Sequence, residues 1–353
     1  MDTKLLAASV PAKGNYLDSA ARSGILKIPG RAAKDHGHSS PLTWVQLPAT
    51  LLSHARKVHP DFSLAGTKHQ FKFLARGLST PTLTQNWFGL WRSPELAPLA
   101  AMRPRVLLKL QRPYLRHGLD ARQRWEVLRQ HYSFARECFS PAALRQIFTP
   151  PGVRLALLPE IEAGAFSVCL GYQYLFEKEG ELSLVFYDER KRTPLFALSF
   201  CVSNWHAGRR EIFIGGLQGC KAANSREDIV AITRGMFGLR PKALLLFSLQ
   251  QFTAFWNIPS VRAVSNETRN LRRRKSDGIK ADYDEFWLDS GGELKTDGNF
   301  TLPATFVPRE LADLKPNKRA MYRRRYRLLE DLEPQIRRHL DQLSRTPASG
   351  SFR

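Results

Sequence analysis

Acidic residues are scarce in this chain relative to basic ones. Its 353 residues hold 32 Asp plus Glu against 54 Lys plus Arg, a formal charge of +22. Such an imbalance implies contact with something anionic, whether a phosphate-bearing ligand, a membrane surface or nucleic acid. Cysteine is scarce as well. Cys138, Cys169, Cys201 and Cys220 form no Cys-x-x-Cys pair and have no His at ligand spacing, so neither a zinc site nor a disulfide framework is suggested and four buried thiols are the expectation. Long apolar runs are missing. None approaches the roughly 20 residues needed to span a bilayer, and the most apolar stretch, Ala243 to Leu249, has the length of a strand. The run Leu5 to Val10 after Lys4 is shorter than the roughly 7 to 15 residues of a secretory core. A cytoplasmic protein, free or resting on the inner leaflet of a membrane, is the expectation. Hydrophobic residues at 43% and charged residues at 24% exclude a wholly disordered, collagenous or polytopic membrane chain.

What is present divides along the chain. Residues 1–45 carry scattered Gly and Pro without sustained periodicity and read as a disordered extension. From Pro48 to Leu99, Leu51, Leu52, Ala55 and Val58, then Phe71, Leu74 and Leu78, recur at helical spacing, and prolines cut the pattern into short helices. Asp120 caps a helix carrying Trp125, Leu128, Tyr132 and Ala135, and Ser140-Pro141 opens another through Phe148. After Pro159 the period falls to two. Val168 to Tyr172, Leu182 to Tyr187, Leu195 to Val202 and Glu211 to Gly216 read as an antiparallel meander with short turns such as Glu179-Gly180. Ser225 begins a helix ending at Gly238 before Pro241; a strand (Ala243 to Leu249), a short helix (Phe252 to Trp256) and another strand (Val261 to Val264) follow. Lys318 to Leu332 is a basic helix with one packed side. The fold class is therefore α/β in the α+β sense, a mixed, largely antiparallel sheet flanked by helices. Its regions are 1–45, a helical 46–158, a sheet domain at 159–308 and a basic helical segment at 309–345.

Three constellations carry possible chemistry. Gly215, Gly216, Gln218 and Gly219 close a predicted strand shortly before a helix, where backbone amides hold phosphate oxygens or where glycines simply permit a tight turn. No Gly-Lys-Ser or Gly-Lys-Thr follows, so this is not a nucleotide P-loop. The basic runs Arg269, Arg272, Arg273, Arg274, Lys275 and Arg323, Arg324, Arg325, Arg327 are either solvated faces or surfaces for an anionic ligand, membrane or nucleic acid. No helix-turn-helix, zinc-finger or RNP signature supports sequence-specific readout. Asp282, Asp284 and Glu285, beside Phe286 and Trp287, either supply a general base or pair with the arginines, and His206 serves a loop hydrogen bond or catalysis.

The order of elements across residues 211–264 resembles the acyl-coenzyme-A cradle of the Gcn5-related acetyltransferases. Their motif, Gln or Arg, two residues, Gly, one residue, Gly or Ala, is met by Gln218 and Ala223, with Lys221 in place of the first motif glycine. The resemblance implies a coenzyme A thioester held by Gly215, Gly216, Gln218, Gly219 and Lys221. A wider resemblance rests on Gly216-Leu217-Gln218-Gly219, Gly238-Leu239-Arg240-Pro241-Lys242, Ala263-Val264-Ser265-Asn266, Lys280 to Trp287 and Lys318 to Tyr326. In this order these segments are similar to the VirK/YbjX family of bacterial proteins, with Phe237 where many members carry His. That resemblance implies an accessory protein of the cell envelope, connected with surface display of a virulence factor and with resistance to antimicrobial peptides. It brings no catalytic residues. Two chemistries stay open: an acyl-coenzyme-A-dependent acyltransferase, and a noncatalytic binder of anionic lipid or nucleic acid.

Overall fold

A computed structural model of the chain describes residues 45–60, 63–204, 209–220, 226–270 and 282–345. The first 44 residues, His206, Lys221 and the run Arg272, Arg273, Arg274, Lys275 lie outside the described residues.

The helical region comprises α1 (Gln46–Val58), α2 (Leu64–Ser79), α3 (Pro81–Leu90), α4 (Ala97–Met102), a 3-10 segment (Pro104–Gln111), α5 (Ala121–Cys138) and α6 (Pro141–Phe148). Local chemistry sets the starts of α5 and α6. Asp120 and Gln123 form a reciprocal capping box at the start of α5, and Ser140 accepts from the Ala143 N–H ahead of Pro141 in α6. In α2, Phe71 and Leu78 face solvent, contrary to a stripe-inward reading; the buried face is Gly66, Gln70, Phe73 and Gly77.

The sheet has eight strands in the order β1-β2-β3-β4-β5-β6-β8-β7: β1 (Val153–Leu157), β2 (Phe166–Gly171), β3 (Leu182–Asp188), β4 (Thr193–Ser203), β5 (Glu211–Gly219), β6 (Ser260–Ala263), β7 (Glu293–Leu294) and β8 (Phe300–Leu302). The expected meander is present as β2 to β5, and β1 adds a strand at its edge. β2 is buried along its whole length. β5 and β6 are parallel, Ile212 opposite Val261, so a crossover must join them. It consists of α7 (Arg226–Gly235) and α8 (Pro241–Phe255).

Here the structure corrects the sequence reading. Ala243 to Leu249 is not a strand, and Phe252 to Trp256 is not a separate helix: both belong to α8. Its run from Leu244 to Gln250 is buried throughout, so no amphipathic period marks it. Leu, Phe and Ala without β-branching favour helix, and Pro241 at its first position sets the start. Gly215 and Gly216 likewise stand inside β5, not in a turn after it. The chain continues through α9 (Tyr283–Asp289) to α10 (Pro316–Leu343), whose Leu328, Leu329, Leu332, Ile336, Leu340 and Leu343 are buried. The main hydrophobic core runs from Leu47 of α1 to Leu343 of α10, and Cys169, Val185 and Ala197 form a small second cluster on β2, β3 and β4.

The segment between β2 and β3 binds the helical region to the sheet through alternate glutamates, all buried. Glu177 takes Arg105 (2.9 Å) and Arg112 (3.2 Å). Glu181 takes the Lys109 ammonium (2.8 Å), the Tyr114 hydroxyl (2.5 Å) and the Tyr132 hydroxyl. Burial alone would lower the pKa of Lys109, but Glu181 outweighs it and holds the value above the ordinary range. Tyr114 also meets the Cys201 thiol at 2.8 Å, which burial pushes up to about 12. Cys138, Cys169 and Cys201 are buried free thiols; Cys220 is half-buried.

Candidate functional site

A cavity of about 930 Å³ opens at the α7–α8 junction of the crossover, lined by α7, α8, α9, α10 and Phe196 of β4. In sheets with parallel strands, ligands bind outside the carboxyl ends of the strands, at the start of the crossover helix. The chain reaches α8 through a tight reversal: Phe237 and Gly238 both have left-handed backbone, φ +55° and +73°. The Gly238 N–H returns to the Thr233 carbonyl (2.8 Å), closing α7. Arg325 of α10 donates from Nε and Nη2 to the Phe237 carbonyl and lies 4.0 Å from the Tyr322 ring centroid. A left-handed Phe is a strained position, and Arg325 fastens it.

The cavity has walls of opposite charge. Arg234, Arg240, Lys242 and Arg324 form one, and among the described residues none of them pairs with a carboxylate. Lys242 has its pKa lowered by burial and by the neighbouring Arg240 cation. The N-terminus of α8, without a side-chain cap, opens beside them and adds the positive end of the helix dipole. Asp282, Glu285 and Asp289 of α9 form the other wall, and Ile229, Phe237, Phe286 and Met321 supply apolar surface between.

Next to the cavity the sheet comes apart. Pairing of β5 with β6 ends at Ile214 and Ala263, and the last backbone bond there runs from Val264 N–H to the Ile214 carbonyl (3.0 Å). Gly215 is an extra residue against β4, where Ser199 pairs with Gly216 and Phe200 with Ile214, a bulge at the point of divergence. Beyond it the β5 edge is met by side chains: the Leu217 N–H donates to the Tyr283 hydroxyl (3.1 Å), while Trp287 Nε1 donates to the Val264 carbonyl (2.9 Å).

Glu179 closes this gap from the other side. A Cβ on Gly215 would lie 2.1 Å from the Glu179 carbonyl oxygen, and one on Gly216 would lie 1.9 Å from its carboxylate. The two glycines admit Glu179 to the strand. Its carboxyl accepts from Gln218 Nε2, and burial pushes its pKa up to about 8 against the pull of that bond and of Arg269. Burial and the Glu179 charge also raise the pKa of Tyr283. The Arg269 guanidinium lies 5.8 Å from the Tyr283 ring centroid, and its buried Nε has no partner among the described residues. A carboxyl raised to about 8 and a phenol beside a cationic cavity can move a proton.

The structure places the sequence candidates unequally. Asp282, Glu285 and Arg324 meet at the cavity. Asp282 also caps α9, accepting from the Glu285 N–H (3.1 Å) and from Asn266 Nδ2 (2.7 Å), and Asp284 accepts from the Asn266 N–H (2.8 Å). These carboxylates fasten the loop after β6; their expected pairing with Arg272 to Lys275 lies outside the described residues. Trp287 packs inward as expected. Arg323 is exposed, and Arg325 is committed to Phe237. Gln218 holds Glu179, and a Cβ on Gly219 would meet the Phe196 ring at 3.3 Å. Sequence reasoning missed Glu179, Tyr283, Arg234, Arg240 and Lys242. The alternation Glu177, Glu179, Glu181 just ahead of an apolar strand was the available signal, since buried carboxylates demand partners.

Comparison with known proteins gives the lineage. A family described as "Protein of unknown function (DUF535)" matches residues 63–338. The Escherichia coli (strain K12) protein described as "Uncharacterized protein YbjX" is 36% identical over 270 residues, covering 75% of this chain and 81% of that protein. Two Haemophilus influenzae proteins, each described as an uncharacterized protein, are 27% identical over 122 residues and 30% identical over 150. They cover 35% and 38% of this chain and 42% and 50% of their own lengths. With this match spanning the cavity, the opened strand pair and Glu179 alike, the chain belongs to the VirK/YbjX (DUF535) family.

Proposed function

We propose that the protein is an acyl-coenzyme-A-dependent acyltransferase serving the envelope role that the VirK/YbjX resemblance implies, in antimicrobial-peptide resistance or display of a virulence factor. The carrying observation is the adjacency of a cationic cavity at the start of a crossover helix and a strand pair that separates beside a buried, near-neutral carboxyl. The coenzyme phosphates meet Arg234, Arg240, Lys242 and Arg324 at the α8 N-terminus. This reading moves the phosphate end of the Gcn5-like cradle from the Gly215 to Lys221 segment to Arg240 and Lys242, because Gly215 and Gly216 already face Glu179. The thioester lies along the β5 edge beyond Ile214. An amine acceptor, drawn by the α9 carboxylates, attacks the thioester carbon; Glu179 takes the amine proton, and the carbon–sulfur bond breaks as Tyr283 protonates the thiolate.

A thermal-shift panel tests binding, using acetyl- and long-chain acyl-coenzyme A, coenzyme A, inorganic phosphate and anionic vesicles. A ligand at a hundred times its Kd stabilises by about 2.7 kcal/mol. Acyl-coenzyme A is expected to raise the melting temperature of the wild type and not of Arg240→Gln with Lys242→Gln. Absence of any acyl-coenzyme-A shift overturns the reading. A shift without thiol release in the presence of amines favours a noncatalytic binder.

A further inference from the structure

α2 has two faces, and only one is used by the fold. Gly66, Gln70, Phe73 and Gly77 are buried. On the opposite side Leu64, Phe71 and Leu78, spaced by seven and so nearly in line along the helix, are exposed by 93%, 71% and 44%. Single exposed apolar side chains are ordinary, but three aligned on one helix face mark an interaction surface. Lys68 and Lys72 are exposed beside the stripe, and neither α1 nor α2 contains an acidic residue. At the last turn of α2 a second cavity, about 280 Å³, is lined by Arg76, Arg112 and Arg124 with Ser79 and Thr80, and among the described residues no carboxylate lines it; Arg112 also pairs with Glu177, and Arg76 and Arg124 each donate to a backbone carbonyl, so the cavity presents their remaining N–H groups.

We infer that the outward face of α2 docks on an anionic lipid surface, its apolar stripe at the level of the acyl chains and Lys68 and Lys72 among the headgroups, with the arginine cavity taking a headgroup phosphate. The charges select this occupant. A second copy of the chain would bring Lys68 and Lys72 against their own kind, whereas an anionic leaflet meets every cation on the face. The surface is separate from the large cavity, so the acyltransferase reading and this one stand or fall independently.

Flotation of the full chain with vesicles tests it. Wild type is expected to float with phosphatidylethanolamine–phosphatidylglycerol vesicles, to be released by salt, and not to float with phosphatidylcholine alone. Lys68→Gln with Lys72→Gln lowers the partition coefficient about fivefold for each lysine. Phe71→Ser with Leu78→Ser abolishes flotation without lowering the melting temperature, because both side chains face solvent; Leu64→Ser serves as the second variant should that pair disturb α2. Several results overturn the inference: no flotation of wild type, unchanged flotation of the variants, or equal binding to phosphatidylcholine. So does a wild-type dimer that Phe71→Ser converts to monomer, which assigns the face to a second copy. Flotation only after residues 1–44 are removed assigns it to the chain's own beginning.

Discussion

Replacing Lys109 by Met keeps the length of the side chain and removes one charge from the most deeply buried ion pair among the described residues. The Lys109 side chain is 3% exposed and that of Glu181 not at all, with Nζ and Oε1 2.8 Å apart. After the change the carboxylate keeps Tyr114 and Tyr132 as donors but has lost its countercharge. The Gly180 carbonyl, 3.2 Å from Nζ, loses its donor too. Breaking a buried pair from one side costs about 3 to 5 kcal/mol. At about 2 to 4 °C per kcal/mol for a large domain, the melting temperature should fall on the order of 10 °C. Calorimetry or urea unfolding reads this directly. Adding Glu181→Gln should recover much of the loss, since the amide oxygen still accepts from a phenol and no isolated charge remains; the cycle should show coupling of about 2 kcal/mol or more. A single-variant loss below about 1 kcal/mol, the cost at a surface pair, or a cycle without coupling, would refute the argument that this cluster binds the helical region to the sheet.

Three further outcomes follow from the same geometry. Gly215→Ala drives a Cβ into the Glu179 backbone carbonyl and should cost about 1 to 3 kcal/mol in urea unfolding before any ligand is added, whereas Gly219→Ala, which meets only the edge of Phe196, should leave stability near wild type. Buried His131 and half-buried His54 have pKa values lowered to about 3 and about 4, desolvation being the first cause for each, and Glu179 has its own raised to about 8; the histidines therefore contribute stability above pH 6.5 that is lost as pH falls toward 4, while Glu179 contributes stability at acid pH that is lost as pH rises from about 4.5 to 8. Together these three groups place maximal stability near pH 6.5, and Glu179→Gln should flatten the alkaline limb of a pH series of melting temperatures. Asp282→Asn with Asp284→Asn keeps an acceptor for each bond to Asn266 and should change stability by less than about 1 kcal/mol, whereas Asp282→Ala, which removes the α9 cap, should cost about 0.5 to 2 kcal/mol.

Elements whose pattern is local were legible in the sequence. The Asp120 and Ser140 caps, the strands β2 to β5 and the Gly238-Pro241 break before α8 each rest on a few neighbouring residues. Long-range contacts decided the rest. α8 lost its period because every side of it is buried, and Phe71 and Leu78 look like core residues until Phe73 and Gln70 are seen to face inward. In the site, Asp282, Glu285 and Arg324 were named as separate runs and meet only because α9 and α10 flank the same cavity. Glu179 was invisible as a functional group: its pKa depends on burial against Gly215 and Gly216, about forty residues away in the chain.

The three alternate glutamates give the site its mechanical logic. In an extended run, residues two apart point the same way, yet Glu177, Glu179 and Glu181 reach three different neighbourhoods because the short 3-10 turn Tyr174–Phe176 precedes them and Gly180 packs against the backbone of Phe200. Glu177 and Glu181 are neutralised by Arg105, Arg112 and Lys109, all from the 3-10 segment or just after it. Of the three, Glu179 has no cation in ion-pair contact among the described residues; its hydrogen-bond partner there is the neutral amide of Gln218. Two paired carboxylates thus fix the backbone on either side of one unpaired carboxylate, which would otherwise swing toward solvent to escape burial. Holding it in place keeps its pKa near neutrality, the range in which a carboxyl both accepts and returns a proton. Loss of either flanking pair should therefore release Glu179 toward an ordinary carboxylate pKa, coupling the stability of the helical region to the chemistry of the gap beside β5.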